Sequence, residues 1–186
     1  MRIAIIAVCS AVVLAGCSAN NMVKAANCPD ILRITPPPGK ASLVIAEPMR
    51  YENYDLEDNP NVSSYLDGKF IGTANGSGIF ITIVEPGRHY VVANGENFET
   101  VLLNFKAGET YYLEQERRLG FALLRTRYRL VKADRLFNDL HGKYSCYEPD
   151  VHNTGRDLDE DRFAEAVAAY TKNNGNIPVN EMGRGK

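Results

Sequence analysis

The segment Val62-Ser63-Ser64-Tyr65-Leu66-Asp67-Gly68-Lys69-Phe70-Ile71-Gly72 holds two short runs of strand-forming residues on either side of Asp67-Gly68. An Asp-Gly pair readily adopts the positive φ angles that a two-residue hairpin turn needs. The segment therefore predicts a β-hairpin, and it is the clearest local indication of the fold.

Similar apolar runs with turn residues between them lie on both sides of this hairpin. Leu43-Val44-Ile45 forms an earlier run, and Pro86-Gly87 and Ala107-Gly108 predict the turns of a second and a third hairpin. The strands of these two hairpins are 79–84 with 89–93, and 101–105 with 110–113. Short strands separated by turns predict a mainly β fold, a small antiparallel β-sandwich, rather than βαβ units.

Two of these segments carry a resemblance to a known family. The first hairpin and Pro86-Gly87-Arg88-His89-Tyr90-Val91 resemble the halves of a PEGA-type domain. With Phe105-Lys106-Ala107-Gly108-Glu109-Thr110-Tyr111-Tyr112, residues 41–131 are similar to a PEGA-like family of lipoprotein domains of unknown function. The resemblance implies a transthyretin-like or prealbumin-like sandwich and supplies no catalytic residues.

The C-terminal part predicts a helix from about residue 157 to 173. Asp157 and Glu160 have the spacing of a capping arrangement, and Phe163, Val167 and Tyr170 recur at helical spacing. This apolar stripe either packs on the domain or docks on a partner protein. Residues 174–186, rich in Asn and Gly, predict a frayed tail.

The N-terminus resembles a bacterial lipoprotein signal peptide. Met1-Arg2 is followed by an apolar run and by Leu14-Ala15-Gly16-Cys17, which has the form of a lipobox. The resemblance implies that residues 1–16 are removed and that Cys17 is acylated, so that the membrane is a partner through acyl chains. Ser18 after this cysteine points, by the same analogy, to the outer membrane, with the domain facing the periplasm.

These features divide the chain into a signal peptide (1–16), a lipidated cysteine with a tether (17–40), the sandwich (41–147), and a C-terminal helix with a flexible tail (148–186). Pro36-Pro37-Pro38-Gly39 predicts that the tether ends in a stiff extended segment. Of the four cysteines, Cys9 lies in the signal and Cys17 would carry lipid, which leaves Cys28 and Cys146. In an oxidising periplasm these two form either a disulfide or two free thiols.

Charge indicates where the domain could bind a ligand. The net charge of −2 gives no case for a nucleic-acid partner. Arg125, Arg127 and Arg129 alternate along a predicted strand, so their guanidinium groups project from one face, where they could bind phosphates or carboxylates of an envelope glycan or a lipid headgroup. Alternatively, they pair with Glu114 and Glu116 across the sheet.

Other residue types give no catalytic or metal-binding pattern. His89, His141 and His152 lack metal-ligand spacing and are expected at turns or on the surface. The acidic stretch 52–60 lacks the order of a calcium loop, and Gly76-Ser77-Gly78 is a turn rather than a nucleophile elbow. Tyr111 and Tyr112 must point to opposite faces of a strand, so at most one is expected in the core.

The expected function is therefore that of a lipid-anchored, non-catalytic binding or assembly module of the cell envelope, without metal or cofactor. The alternatives are an adaptor that docks a protein complex through the C-terminal helix and, with less support, an envelope hydrolase.

Overall fold

The computed structural model describes residues 21–48, 62–74, 78–95, 97–119, 124–152 and 155–182. Strands dominate these residues and form two sheets, which confirms the predicted mainly β sandwich. Cys17, the acidic stretch 52–60 and residues 76 and 77 lie outside the described residues.

The first sheet has six strands in the order β1-β10-β5-β2-β8-β9. Its strands are β1 (Met22–Lys24), β2 (Ala41–Ala46), β5 (Gly78–Val84), β8 (Thr110–Leu119), β9 (Leu124–Val131) and β10 (Ser145–Pro149). The pairs β10–β5 and β2–β8 are parallel and the other pairs are antiparallel, so this sheet is mixed.

The second sheet has four strands in the order β4-β3-β6-β7, all antiparallel. They are β3 (Val62–Leu66), β4 (Lys69–Ala74), β6 (Gly87–Asn94) and β7 (Phe98–Phe105). β3 and β4 form the predicted hairpin, with φ of +49° at Asp67 and +82° at Gly68. These are the left-handed angles that the Asp-Gly pair was expected to adopt.

The predicted second and third hairpins are wrong. Pro86-Gly87 and Ala107-Gly108 do turn the chain, but each turn carries it from one sheet to the other: β5 pairs with β2 and β10, while β6 pairs with β3 and β7. After the Gly108 turn, β8 pairs with the much earlier β2, and the Gly108 amide donates to the Lys40 carbonyl at 2.8 Å. A turn signal fixes a change of direction, whereas the partner of the next strand is decided by long-range packing.

The core lies between the two sheets, where alternate residues of each strand face inward. Its largest fully buried members include Phe80, Phe105, Leu43, Leu103 and Leu113. Gly72, at φ +156°, lies against the Phe80 ring, and a Cβ at this position would come within 2.8 Å of that ring. The sandwich can therefore close over Phe80 only with glycine at this position.

The outer face of the six-stranded sheet is covered by two segments whose structure the sequence did not predict. Residues 25–34, which follow the edge strand β1, contain a short 3-10 turn (Ile31–Arg33), and helix α1 (Ala133–Asp139) follows β9. Ile31, Leu136 and Leu140 pack there against Val44, Ile79 and Tyr112. The predicted tether is therefore wrong from residue 21 onward, because strand pairing and apolar burial hold this segment on the sheet.

This cover also corrects the expectation that only one of two adjacent tyrosines is buried. Tyr111 faces the core between the sheets, and Tyr112 points to the opposite face, yet both are buried. The hydroxyl of Tyr112 donates to the Ile31 carbonyl at 2.9 Å. Burial, followed by the charge of Asp30, raises the pKa of Tyr112.

Helix α2 (Glu160–Asn174) covers the outer face of the four-stranded sheet. Ala166 and Tyr170 are buried, and the ring of Tyr90 in β6 makes edge contacts with Phe163 and Tyr170. Arg162 lies over the Phe98 ring, with its Cζ 5.0 Å from the ring centroid. The first of the two interpretations of the apolar stripe, packing on the domain, is thus confirmed.

The start of α2 differs from the prediction. Asp159 is the N-cap and accepts from the Arg162 amide at 2.8 Å, whereas Asp157 lies before the helix and binds the β3–β4 hairpin. The carboxylate of Asp157 accepts from the Phe70 amide and from Lys69 Nζ, both at 2.8 Å. The hydrogen bond from Lys69, followed by that from Phe70, lowers the pKa of Asp157, and the same ion pair raises the pKa of Lys69.

The residues after α2 do not form a frayed tail as far as residue 182. The Val179 amide donates to the Leu102 carbonyl at 2.8 Å, and the side-chain amide of Asn180 bonds both main-chain groups of Asn104. These contacts cover the free edge of β7, which would otherwise expose unpaired main-chain groups. Residues 183–186 lie outside the described residues.

Candidate functional site

The three arginines predicted as an anion site lie on β9, an edge strand of the six-stranded sheet. Thr126 and Tyr128 are buried, while Arg125 and Arg127 are exposed and Arg129 is partly buried. The predicted alternation is confirmed, and all three guanidinium groups project from the outer face. The structure nevertheless divides the row into two parts.

Arg129 belongs to an ion-pair cluster within the sheet. Its guanidinium Nη2 lies 2.6 Å from Glu116 Oε1, and its Nη1 lies 4.0 Å from Glu114 Oε2. Glu114 is 0% and Glu116 is 8% exposed, so a cation beside them offsets the cost of burying their charge. Arg129 therefore fits the alternative reading, cross-strand pairing, rather than ligand binding.

Arg125 and Arg127 remain as the candidate anion site. Both side chains are exposed, and neither forms an ion pair with another residue in the part of the chain that the structure describes. Residues two apart on one strand lie about 6.6 Å apart on the same face. In the register of β8 with β9, Arg118 stands opposite Arg125. The guanidinium groups of Arg125 and Arg127, at this spacing along the strand, can each bind a phosphate or carboxylate in bidentate fashion.

A disulfide joins Cys28 to Cys146, the pair left by the cysteine count, with the two Cα atoms 5.2 Å apart. It ties the N-terminal segment to β10, and Tyr144 holds the same segment by accepting from the Ile31 amide and donating to the Pro29 carbonyl. The Ala25 amide also donates to the Cys146 carbonyl at 2.9 Å. The chain is thus fixed to the sheet a short distance after Cys17.

A buried polar cluster lies between the sheets and was not foreseen. Ser64 Oγ is 2.6 Å from Tyr128 Oη and donates to Gln115 Oε1 at 3.4 Å, and Gln115 Nε2 donates to Glu47 Oε2 at 3.4 Å. Burial raises the pKa of Tyr128 well above its usual range. The available signal in the sequence was that Ser64 and Gln115, both polar, fall at inward-facing positions of their strands. Because each member has a polar partner, the cluster fixes the packing of the two sheets.

His141 and His152 lie where they were expected, at a turn and on the surface, whereas His89 lies within strand β6 with a partly buried side chain. His89 Nδ1 is 2.5 Å from Asp67 Oδ2, and the other oxygen of Asp67 accepts from the Tyr90 amide at 2.9 Å. His141 lies in the turn after α1 and His152 is exposed. Within the described ranges, His, Cys, Asp and Glu do not come together in a group of three or more that could hold a metal ion.

No family model, no curated protein and no solved structure matches this chain. The resemblance to PEGA-like domains therefore stays a prediction. Among the described helices, neither the length nor the apolar content is sufficient for a membrane span. Fold and site together define a disulfide-bonded, two-sheet β-sandwich with a helix on each outer face and an exposed pair of arginines on one edge.

Proposed function

We propose that this protein is a lipid-anchored module of the bacterial cell envelope. Acyl chains on Cys17 hold it in the outer membrane, and the sandwich faces the periplasm and binds an anionic envelope component without catalysis. The observation that carries the proposal is the Cys28–Cys146 disulfide, which clamps the segment that begins directly after the lipobox.

Two independent features support the same compartment. Structural disulfides persist in oxidising compartments such as the periplasm and are rare in the cytosol. The lipobox at residues 14–17 resembles an export and acylation signal. Two or more acyl chains, at about 0.8 kcal/mol per buried methylene, anchor a protein stably.

Membrane fractionation of cells that express the full chain tests the anchor. We expect the wild-type protein in the outer-membrane fraction and the Cys17→Ala protein in the soluble or the inner-membrane fraction. A Cys9→Ala variant is the matched control, because this cysteine lies in the segment that is removed. Equal fractionation of the Cys17→Ala and wild-type proteins would overturn the anchor.

The anion site is Arg125 with Arg127, since Arg129 is occupied by Glu116 and Glu114. Purified peptidoglycan sacculi and lipopolysaccharide micelles are suitable probes, because they carry the carboxylates and phosphates that guanidinium groups bind. We expect the Arg125→Glu, Arg127→Glu protein to bind one of these probes roughly tenfold more weakly, a loss of about 1.4 kcal/mol.

The matched control is an Arg33→Glu, Lys172→Glu protein, which makes the same change in net charge at exposed positions away from β9. Equal weakening in both proteins would show that only net charge matters. Unchanged binding in the arginine variant would remove the anion site from the proposal.

A further inference from the structure

Of the six large apolar side chains that are exposed among the described residues, three lie close together, while Leu32, Ile177 and Met182 lie elsewhere. Val23, Ile83 and Val151 are 41%, 49% and 81% exposed, and strand register brings them to one corner of the six-stranded sheet. β1 pairs with β10, with Val23 opposite Glu148, and β10 pairs with β5 in parallel, with Tyr147 opposite Phe80. Ile83 lies three residues beyond Phe80 on β5, and Val151 lies two residues beyond the end of β10.

The chain enters the fold at this same corner. The Asn21 carbonyl accepts from the Asp150 amide at 2.9 Å, so residue 21 is fixed beside Val151. Four Cα-to-Cα steps separate Cys17 from Asn21, and a fully extended chain covers at most about 3.5 Å per step. The sulfur that would carry lipid therefore lies within about 15 to 20 Å of the corner, whatever path residues 18–20 take.

The candidate anion site lies on the other edge of the sheet. Five strand spacings of about 4.8 Å separate β1 from β9, which amounts to about 24 Å. Arg125 and Arg127 also lie beyond the end of β2, because Glu114, four residues before Arg118, is already opposite Ala46. The apolar corner and the arginine pair therefore lie at diagonally opposite ends of the six-stranded sheet, with the link to Cys17 at the apolar end.

We infer that the corner formed by Val23, Ile83 and Val151 rests in the headgroup region of the membrane that holds the acylated Cys17, and that Arg125 and Arg127, at the opposite end of the sheet, lie away from that membrane. Burial of exposed apolar side chains at the lipid surface stabilises this orientation, because it removes apolar area from water. The inference rests on the proposed anchor, and it makes a periplasmic polyanion the ligand class of the arginine pair.

The chain contains no tryptophan, so a single introduced tryptophan reports on its own position without background. The test uses three proteins, Val23→Trp, Val151→Trp and Ile177→Trp, purified with their acyl groups and reconstituted into vesicles of phosphatidylcholine with brominated acyl chains. Ile177 is the matched control, because it is 52% exposed but lies after α2, on the side of the four-stranded sheet.

We expect roughly twofold loss of tryptophan emission at positions 23 and 151, relative to vesicles without bromine, and little loss at position 177. Each protein must keep the disulfide and the unfolding temperature of the wild type. Equal quenching at all three positions, or none at 23 and 151, would overturn the orientation. If, without vesicles, the tryptophan side chains at positions 23 and 151 become shielded as the protein concentration rises, the corner binds a second copy of the chain. That result would also overturn the orientation.

The mass of the purified protein distinguishes a wrong orientation from a wrong anchor. If Cys17 carries acyl groups and positions 23 and 151 stay unquenched, the anchor stands and the orientation is wrong. If Cys17 carries none, the anchor is wrong, and the protein beginning at Cys17 is coupled through that thiol to a maleimide phospholipid. Cys28 and Cys146 are joined to each other, so the coupling is specific, and the same quenching pattern then decides the orientation.

Discussion

The outer face of the six-stranded sheet is covered by a segment cross-linked to it, whereas the outer face of the four-stranded sheet is covered by a helix held through aromatic packing and hydrogen bonds. Cys28–Cys146, the β1–β10 pair and two tyrosine hydroxyls hold the first cover. Phe163, Ala166 and Tyr170 hold the second. The covalent link lies on the side from which the chain leads back to Cys17, so a pull on the chain before residue 21 would reach the sheet directly.

The largest expected effect comes from removing the covalent link. The disulfide spans 118 residues, and in the chain-entropy model a loop of this length stabilises by about 4 to 5 kcal/mol. We expect a Cys28→Ser, Cys146→Ser protein to lose about that much free energy of unfolding in urea. The wild type in reductant should show the same loss.

Amide hydrogen exchange sharpens this result. In the serine variant, residues 22–34 should lose protection well before α2 does, because the two covers are held independently. Simultaneous loss of protection in both covers, or a loss of stability below about 1 kcal/mol, would contradict the comparison.

The second cover should respond to a change in its packing. Tyr170→Ala removes a buried ring with which α2 packs on the sheet and should lower the free energy of unfolding by about 3 kcal/mol. Tyr170→Phe is the matched control, since it loses only the hydrogen bond to the Ile177 carbonyl and should cost about 1 kcal/mol. Chemical denaturation measures both, and equal costs would show that the ring does not hold the helix.

A smaller loss of stability should distinguish Arg129 from Arg127 in the arginine row. Arg129→Gln leaves the buried carboxylates of Glu114 and Glu116 with one cation fewer and should cost about 1 to 3 kcal/mol. Arg127→Gln, two residues away on an exposed position, should stay within about 0.5 kcal/mol of the wild type. Equal costs in urea unfolding would mean that the row acts as one unit.

The smallest effect is the pH dependence of the contact between Asp157 and the β3–β4 hairpin. The pKa of Asp157 is lowered from its ordinary value of 3.8, so the stability from this carboxylate is present above that value. It is lost as the pH falls through the lowered pKa of the folded protein. Between about pH 5 and pH 2 the wild type should therefore lose slightly more stability than Asp157→Asn. Thermal unfolding across this range measures the difference, and parallel curves would contradict the assignment.

Sequence reasoning succeeded where the signal is local. Asp67-Gly68 fixes its own φ angles, so the β3–β4 hairpin could be predicted. The alternation on β9 and the apolar stripe of α2 depend on one periodic segment each. Helix α2 starts at Glu160 rather than near residue 157 because Asp157 is occupied by the hairpin, a contact between distant parts of the chain.

Pairing between distant strands could not be predicted. The turns at Pro86-Gly87 and Ala107-Gly108 look like hairpin turns, and only the core packing sends the next strand to the other sheet. Three-residue β1 carries too few residues for a periodic signal, and its position depends on β10 and the disulfide. For the candidate site, the sequence could supply three alternating arginines, but it could not show that Glu116 and Glu114 occupy Arg129.

The intact mass of the protein extracted from membranes, after alkylation without reductant, tests the central claim most directly. We predict a chain that begins at Cys17, carries acyl chains on that residue and takes up no alkylating reagent. A chain that begins at Met1, an unmodified Cys17, or alkylation of Cys28 and Cys146 would contradict the account of an anchored envelope domain.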